Sequence, residues 1–138
     1  RAMLSAGPVG IMDWCLNTTK INLQSRQQFG KTLSEFQLMQ GLYADMYTAR
    51  QSSYAYACSL LKQDSVSQLS AADAASLYLF CSEQCLQATD STIQALGGMG
   101  YMQECLAGQY HHDANLFTIG GGTSEIKRWL IGRSLLCR

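Results

Sequence analysis

The chain has 138 residues, the size of one domain with a single core, and its ten basic and ten acidic residues cancel. Neutrality offers no electrostatic handle for nucleic acid or an anionic membrane, and one proline among 47% hydrophobic residues excludes a disordered or collagen-like chain. Only 14% of residues are charged, against roughly 25% in an average soluble domain, so part of the surface is expected to lie against something else. No apolar run approaches the ~20 residues of a membrane span. No signal segment is visible, and a chain that begins with Arg1 rather than Met reads as a piece of a longer protein.

The first segment, Ala2 to about Gln24, carries Met3, Leu4, Val9, Ile11, Met12, Trp14, Leu16, Ile21 and Leu23. That spacing predicts a helix that is apolar nearly all round, hence buried on more than one side. Pro8 lacks a backbone donor and should kink the helix or mark a break near its start. Gly30 ends the segment. Thr32-Leu33-Ser34-Glu35 has capping-box spacing and opens a second helix, with Phe36, Met39, Tyr43, Met46, Arg50, Tyr54, Ala57 and Leu61 on one face as far as Lys62. Gln63 to Leu69 reads as a polar connection.

Ser70-Ala71-Ala72-Asp73 is a second capping start, with Asp in place of Glu. It leads into a third helix faced by Ala74, Leu77, Cys81, Cys85, Ala88, Thr92 and Leu96 and stopped by Gly97 and Gly98. Met99 to Gly122 reads as irregular, with a short helix near Asp113 to Phe117. Thr123 caps a last helix whose face is Ile126, Trp129 or Leu130, Arg133 and Leu136. No period-two strand is expected. The fold class is all-α: an antiparallel up-down four-helix bundle forming one domain over residues 1–138.

Six cysteines without a signal peptide indicate a reducing compartment, and Cys81 and Cys85, four apart, read as small core residues rather than zinc ligands. His111-His112-Asp113 reads as a surface turn, because adjacent side chains diverge and no further ligand is evident; no metal is expected. Gly97-Gly98-Met99-Gly100-Tyr101 follows a helix rather than a strand, so the glycines there stop a helix and make a turn. Gly120-Gly121-Gly122 before a helix N-terminus admits two readings equally: a flexible loop, or a cradle in which a ligand approaches unpaired amides.

Several stretches together resemble the acyl-CoA dehydrogenases. They are Arg26 to Gly30, Phe36 to Gln40, Leu42 to Met46, Gln94 to Tyr101 and Gly122-Thr123-Ser124-Glu125-Ile126, all in one consistent order. The resemblance runs from Arg1 to Arg138 and covers the family's C-terminal helical domain, without its N-terminal helical and middle β domains. Ala6 to Gly10, Phe36 to Gly41, Ala44 to Thr48 and Ile131-Gly132-Arg133 are similar to the branched-chain type that acts on isovaleryl-CoA, in leucine catabolism.

The resemblance implies a flavoenzyme. Such an enzyme removes an α-proton from an acyl-CoA thioester, passes the β-hydride to FAD and yields its electrons to an electron-transferring flavoprotein. It implies a homotetramer, in the mitochondrial matrix of a eukaryote or otherwise in the cytoplasm, with no nucleic-acid or membrane partner. In most of the family the base is a glutamate at the position of Gly121; in the isovaleryl and long-chain types it immediately precedes the residue matching Arg1. No catalytic base is therefore expected within this chain, and Glu104 and Asp113 match no base position. Arg1, Gly120 and Gly121 match substrate-side positions, Gly121 by donating its N–H to the thioester carbonyl and both glycines by leaving room for a branched acyl chain. Arg26 and Gln37 match positions that touch the flavin dinucleotide of a neighbouring subunit. Gln94, Ala95, Leu96, Gly97 and Gly98 match its ADP-side loop, and Thr123, Ser124 and Glu125 the turn that holds it at a helix N-terminus. Leu106, Gln109 and His112 depart from the family pattern of Pro, Arg and Arg. The rival readings are a long-chain dehydrogenase, an acyl-CoA oxidase, and a helical association module without chemistry.

Overall fold

The stripe expected between Ser70 and Gly97 organises the molecule. In the computed structural model, which describes residues 1–61 and 69–137, that stripe lies on α3 (Ala71–Leu96), the helix against which the others pack. Leu77, Tyr78, Cys81, Cys85, Ala88, Thr92 and Leu96 are buried along it. Ser70 caps it as expected, its Oγ accepting from the Asp73 N–H at 3.0 Å.

Helix α1 (Ala6–Ser25) lies parallel to α3: the Thr19 hydroxyl meets Thr92, and the Asn22 amide donates to the Ala95 carbonyl at 3.0 Å. Helix α2 (Gln37–Leu61) returns antiparallel to α1, with Met46 against Cys15 and Leu16, and Arg50 paired with Asp13 at 2.6 Å. One turn, α4 (Gly98–Tyr101), follows α3. Then α5 (Leu106–Ile119) runs back down α3, placing Ala114 on Met12, Cys85 and Ala88. The up-down bundle is thus α1, α2, α3 and α5, with α6 (Ser124–Leu136) laid on α3 beside them.

Four local expectations are corrected or sharpened. Residues 106–119 are helical rather than irregular: α5 buries only Ala107 and Ala114, seven residues apart, so it packs through small residues and shows no bulky stripe. On α6 the inward side chains are Ser124 and Lys127; of the expected face, Ile126, Trp129, Arg133 and Leu136 point outward and only the alternative Leu130 is half-buried. Pro8 does not kink α1. It is the third residue of the helix, where amides lack intrahelical acceptors, and the break is the 3-10 turn Ala2–Ser5 just before. The Thr32–Glu35 capping box is present, the Thr32 N–H donating to the Glu35 carboxylate at 3.0 Å, but it closes a 3-10 turn (Leu33–Glu35), and α2 begins after it.

Two residues of strand do occur on each side of a tight turn: β1 (Gln27–Gln28) pairs antiparallel with β2 (Lys31–Thr32). Phe29 and Gly30 sit at φ 54° and 82°, as a two-residue hairpin with both central residues left-handed requires. The expected connection Gln63 to Leu69 lies outside the described residues except for Leu69.

Cys15, Cys81 and Cys85 are buried without disulfides. Burial pushes the Cys15 thiol up to about 11 and Cys85 to about 12, which marks them as neutral core residues. No group of three or more metal-ligating side chains occurs among the described residues, and His111 instead meets the Thr89 hydroxyl at 3.1 Å.

Candidate functional site

The expected site residues separate into two groups at opposite ends of the bundle. One is the turn end, where α5 stops and α6 starts. The Gly120 N–H still bonds the Leu116 carbonyl, and the chain then reverses through Gly121 at φ 67° and Gly122 at φ 102°. Only glycine takes that conformation without strain. A Cβ at Gly121 would stand 3.0 Å from the Tyr78 ring and 3.2 Å from Leu4, so the side-chain direction there is already filled. The glycine is first a backbone requirement, and the room expected for an acyl branch does not lie in that direction.

Both peptide planes of this turn are held by their carbonyls. The Tyr78 hydroxyl donates to the Gly120 oxygen at 3.2 Å, and the Arg1 Nε–H donates to the Gly121 oxygen at 3.1 Å. Among the described residues the Gly121 and Gly122 N–H groups have no partner. Thr123 caps α6 by accepting from the Ile126 N–H at 3.4 Å. Ser124 is buried, with its hydroxyl on the Thr118 carbonyl at 3.5 Å, and Glu125 is exposed. Hydrogen bonding to its own N–H and Thr123, with Arg128 and Lys127 nearby, holds the Glu125 carboxyl below the usual range. Free amides at a 13-residue helix start, beside the Arg1 guanidinium, favour an anionic or strongly dipolar ligand group.

Sequence reasoning did not single out the side chains beneath the turn. Lys127 is fully buried; its ammonium donates to the Phe117 carbonyl at 2.7 Å and to the Ser82 hydroxyl at 3.4 Å, and lies 3.9 Å over the Tyr78 ring. Desolvation holds it below the ordinary lysine range, Glu83 pulling it partly back. The available signal was spacing: Lys127 falls three residues after Ser124 on the inward side of α6, and Tyr78 and Ser82 are four apart on α3.

At the other end, α1 and α3 finish side by side. Arg26 extends its guanidinium to the Leu96 carbonyl at 3.1 Å and lies 3.6 Å from where a Gly97 Cβ would stand. Gly97 (φ 62°) ends α3, and the side-chain direction of Gly98 is open. Gly100 packs so tightly that a Cβ would meet the Ile93 carbonyl at 2.7 Å. Ala95 and Leu96 are buried with their carbonyls engaged by Asn22 and Arg26, which leaves Gln94, Gly97 and Gly98 to face outward. The ribbon, and a bond from the Leu33 N–H to the Arg26 carbonyl at 2.9 Å, bring the exposed Gln37 back to this same end. From Tyr78 to Leu96 the two groups are separated by about 27 Å, at ~1.5 Å per residue of α3.

The family model for the C-terminal domain of acyl-CoA dehydrogenase matches residues 1–136. The chain belongs to the acyl-CoA dehydrogenase family. It is 43% identical over 135 residues to a mitochondrial isovaleryl-CoA dehydrogenase of Solanum tuberosum, covering 98% of this chain and 33% of that protein. A mitochondrial 2-methylacyl-CoA dehydrogenase of the same plant is 42% identical, with the same coverage. Among solved structures, an FAD complex of PigA superposes with a TM-score of 0.89 at 30% identity, over 96% of this chain and 34% of that one. The chain thus spans about a third of the length of the relatives it matches. The all-α architecture expected from the sequence agrees with these neighbours.

Proposed function

We propose that this chain is the C-terminal helical domain of an FAD-dependent acyl-CoA dehydrogenase that desaturates a short branched acyl-CoA such as isovaleryl-CoA. The observation that carries the reading is the bond from Arg1 to Gly121, which joins positions 120 residues apart. It brings Arg1, the neighbour of the position where a carboxylate base is expected, to a turn whose Gly121 and Gly122 N–H groups have no partner among the described residues, which supports a base and an oxyanion donor in one site. A base and an oxyanion donor converging on one point is what α-proton abstraction from a thioester needs.

In this reading the upstream carboxylate takes the α-proton, and the Gly121 N–H donates to the thioester oxygen as negative charge builds there. The bound flavin supplies the acceptor for the β-hydride. Thr123, Ser124 and Glu125 would hold the cofactor near the α6 start. Arg26, Gln37, Gln94 and the backbone at Gly97 and Gly98 would hold its dinucleotide portion. The residues fit such a group: the open side-chain direction at Gly98 lets backbone approach closely, and Arg26 sets a cation beside it. The two ends stand about 27 Å apart along α3, a separation that supports their serving different cofactor sites in an assembly. Exposed Phe29, Leu38, Tyr101, Trp129 and Leu136 suit an oligomer, here a homotetramer, and account for the low charge. An electron-transferring flavoprotein would reoxidise the enzyme. The names of its plant relatives favour the mitochondrial matrix in a eukaryote; a bacterial protein would be cytoplasmic.

The test is anaerobic bleaching of the flavin in the full-length protein. Isovaleryl-CoA should bleach it faster than straight-chain thioesters do. Changing the carboxylate before Arg1 to its amide should slow bleaching by about 10²–10⁴-fold. Bleaching at the unaltered rate would refute the base assignment.

A further inference from the structure

The Lys127 ammonium is enclosed on every side, yet no carboxylate among the described residues touches it; Glu83 on α3 is bound to Arg128 at 2.7 Å. A buried charge without a counter-ion is costly, and a methionine would fill the same space without that cost. All three of its contacts instead lead toward the turn. The Phe117 carbonyl lies in the last turn of α5, where carbonyls lack intrahelical partners. Ser82 turns its own hydrogen to the Tyr78 carbonyl, which leaves a lone pair for the ammonium. The Tyr78 ring is held by the ammonium on its face and, through its hydroxyl, by the Gly120 carbonyl.

Tyr78 then acts on a single peptide group. The Gly120 carbonyl that its hydroxyl meets and the Gly121 N–H belong to the same peptide plane. In a trans peptide these two point in opposite directions, so fixing the oxygen aims the hydrogen. Donation to the oxygen also polarises the amide and makes its N–H a stronger donor.

We propose that Tyr78 and Lys127 are positioning residues for the oxyanion donor: Lys127 locks the Tyr78 ring, and the Tyr78 hydroxyl aims and polarises the Gly121 N–H. This rests on the acyl-CoA reading above, and it assigns roles to two side chains outside the motif stretches.

The test uses the full-length flavoenzyme and 3-methylcrotonyl-CoA labelled with carbon-13 at the thioester carbonyl. Isotope-edited infrared spectra report how strongly the protein polarises that carbonyl. In the unaltered enzyme the band should shift to lower frequency on binding. Tyr78→Phe removes one oxygen and should return the band part of the way toward its free-solution position. It should also lower kcat about 10-fold while KM stays within ~3-fold, since the interaction strengthens only as charge develops. Lys127→Met should move the band in the same direction, and Lys127→Gln, which keeps a donor to the Phe117 carbonyl, should move it less. An unchanged band and kcat in Tyr78→Phe would overturn the proposal, whether or not Lys127→Met folds. If the unaltered enzyme neither binds nor reduces with any acyl-CoA, the functional reading fails first and this proposal with it. Turnover with a shifted band that survives both substitutions would sink the positioning role alone.

Discussion

The two ends of this bundle handle glycine in opposite ways. At the turn end, Gly121 is closed in: its φ is 67°, and the Tyr78 ring and Leu4 already fill the direction a side chain would take. At the ribbon end, Gly98 is open, with nothing within 4 Å of where its Cβ would stand. The first glycine builds a fixed turn whose Gly121 and Gly122 N–H groups have no partner among the described residues. The second leaves a surface bare. Preorganised donors suit a group on which charge develops; a bare surface beside an arginine suits the close approach of a dinucleotide.

The same substitution should therefore have different effects at the two ends. Gly121→Ala combines a left-handed backbone with a 3.0 Å contact, and it should destabilise the fold by about 1–3 kcal/mol. Turnover should fall with it, because the turn must shift to admit the methyl group. Thermal unfolding and flavin bleaching of the full-length protein check both. Gly98→Ala should leave unfolding within about 0.5 kcal/mol of the parent, since the methyl meets only open space. It should still weaken flavin retention, read as free flavin released on gel filtration. Equal loss of stability at both positions would erase the distinction between the ends.

A smaller effect separates the turn from the core by its pH dependence. Cys15 and Cys85, held at about 11 and about 12 against 9.0 for a free thiol, stabilise the fold fully below pH 9. The unfolded chain releases those protons first, so stability should fall as pH climbs from 9 through 11 to 12. Lys127 has the opposite sign. Its folded-state value lies below 10.5, so its contribution is present above that pH and is lost as pH falls through the folded value. Denaturant titrations across this range should show Cys85→Ala flattening the alkaline decline and Lys127→Met steepening it.

Much of this was legible in the sequence, for physical reasons that also mark where legibility stops. The α3 stripe and the caps at Ser70 and Thr123 are local signals, set by spacing and by side chains that reach two or three residues along the chain. α5 was hidden because it packs through Ala107 and Ala114, and alanines produce no amphipathic contrast. The α6 face was misread because the apolar Ile126, Trp129 and Leu136 are exposed, while the inward position holds Lys127. A lysine facing inward breaks the rule by which a face is chosen. The glycine turn was recognisable from three successive glycines, but not the ring and ammonium beneath it, which come from α3 and α6.

Mixed assembly tests directly whether the two ends belong to different cofactor sites. One full-length variant carries Arg26→Glu with Gly98→Arg and is disabled at the ribbon end. A second has its upstream carboxylate changed to the amide and is disabled at the turn end. Each alone should be nearly inactive. Unfolded together and refolded, or co-expressed, they should recover about a quarter of parental turnover, because in a symmetric assembly the intact turn of one copy meets the intact ribbon end of its neighbour. Assembly of the two into one oligomer with no recovery would mean that both ends serve the same copy, and would contradict the account.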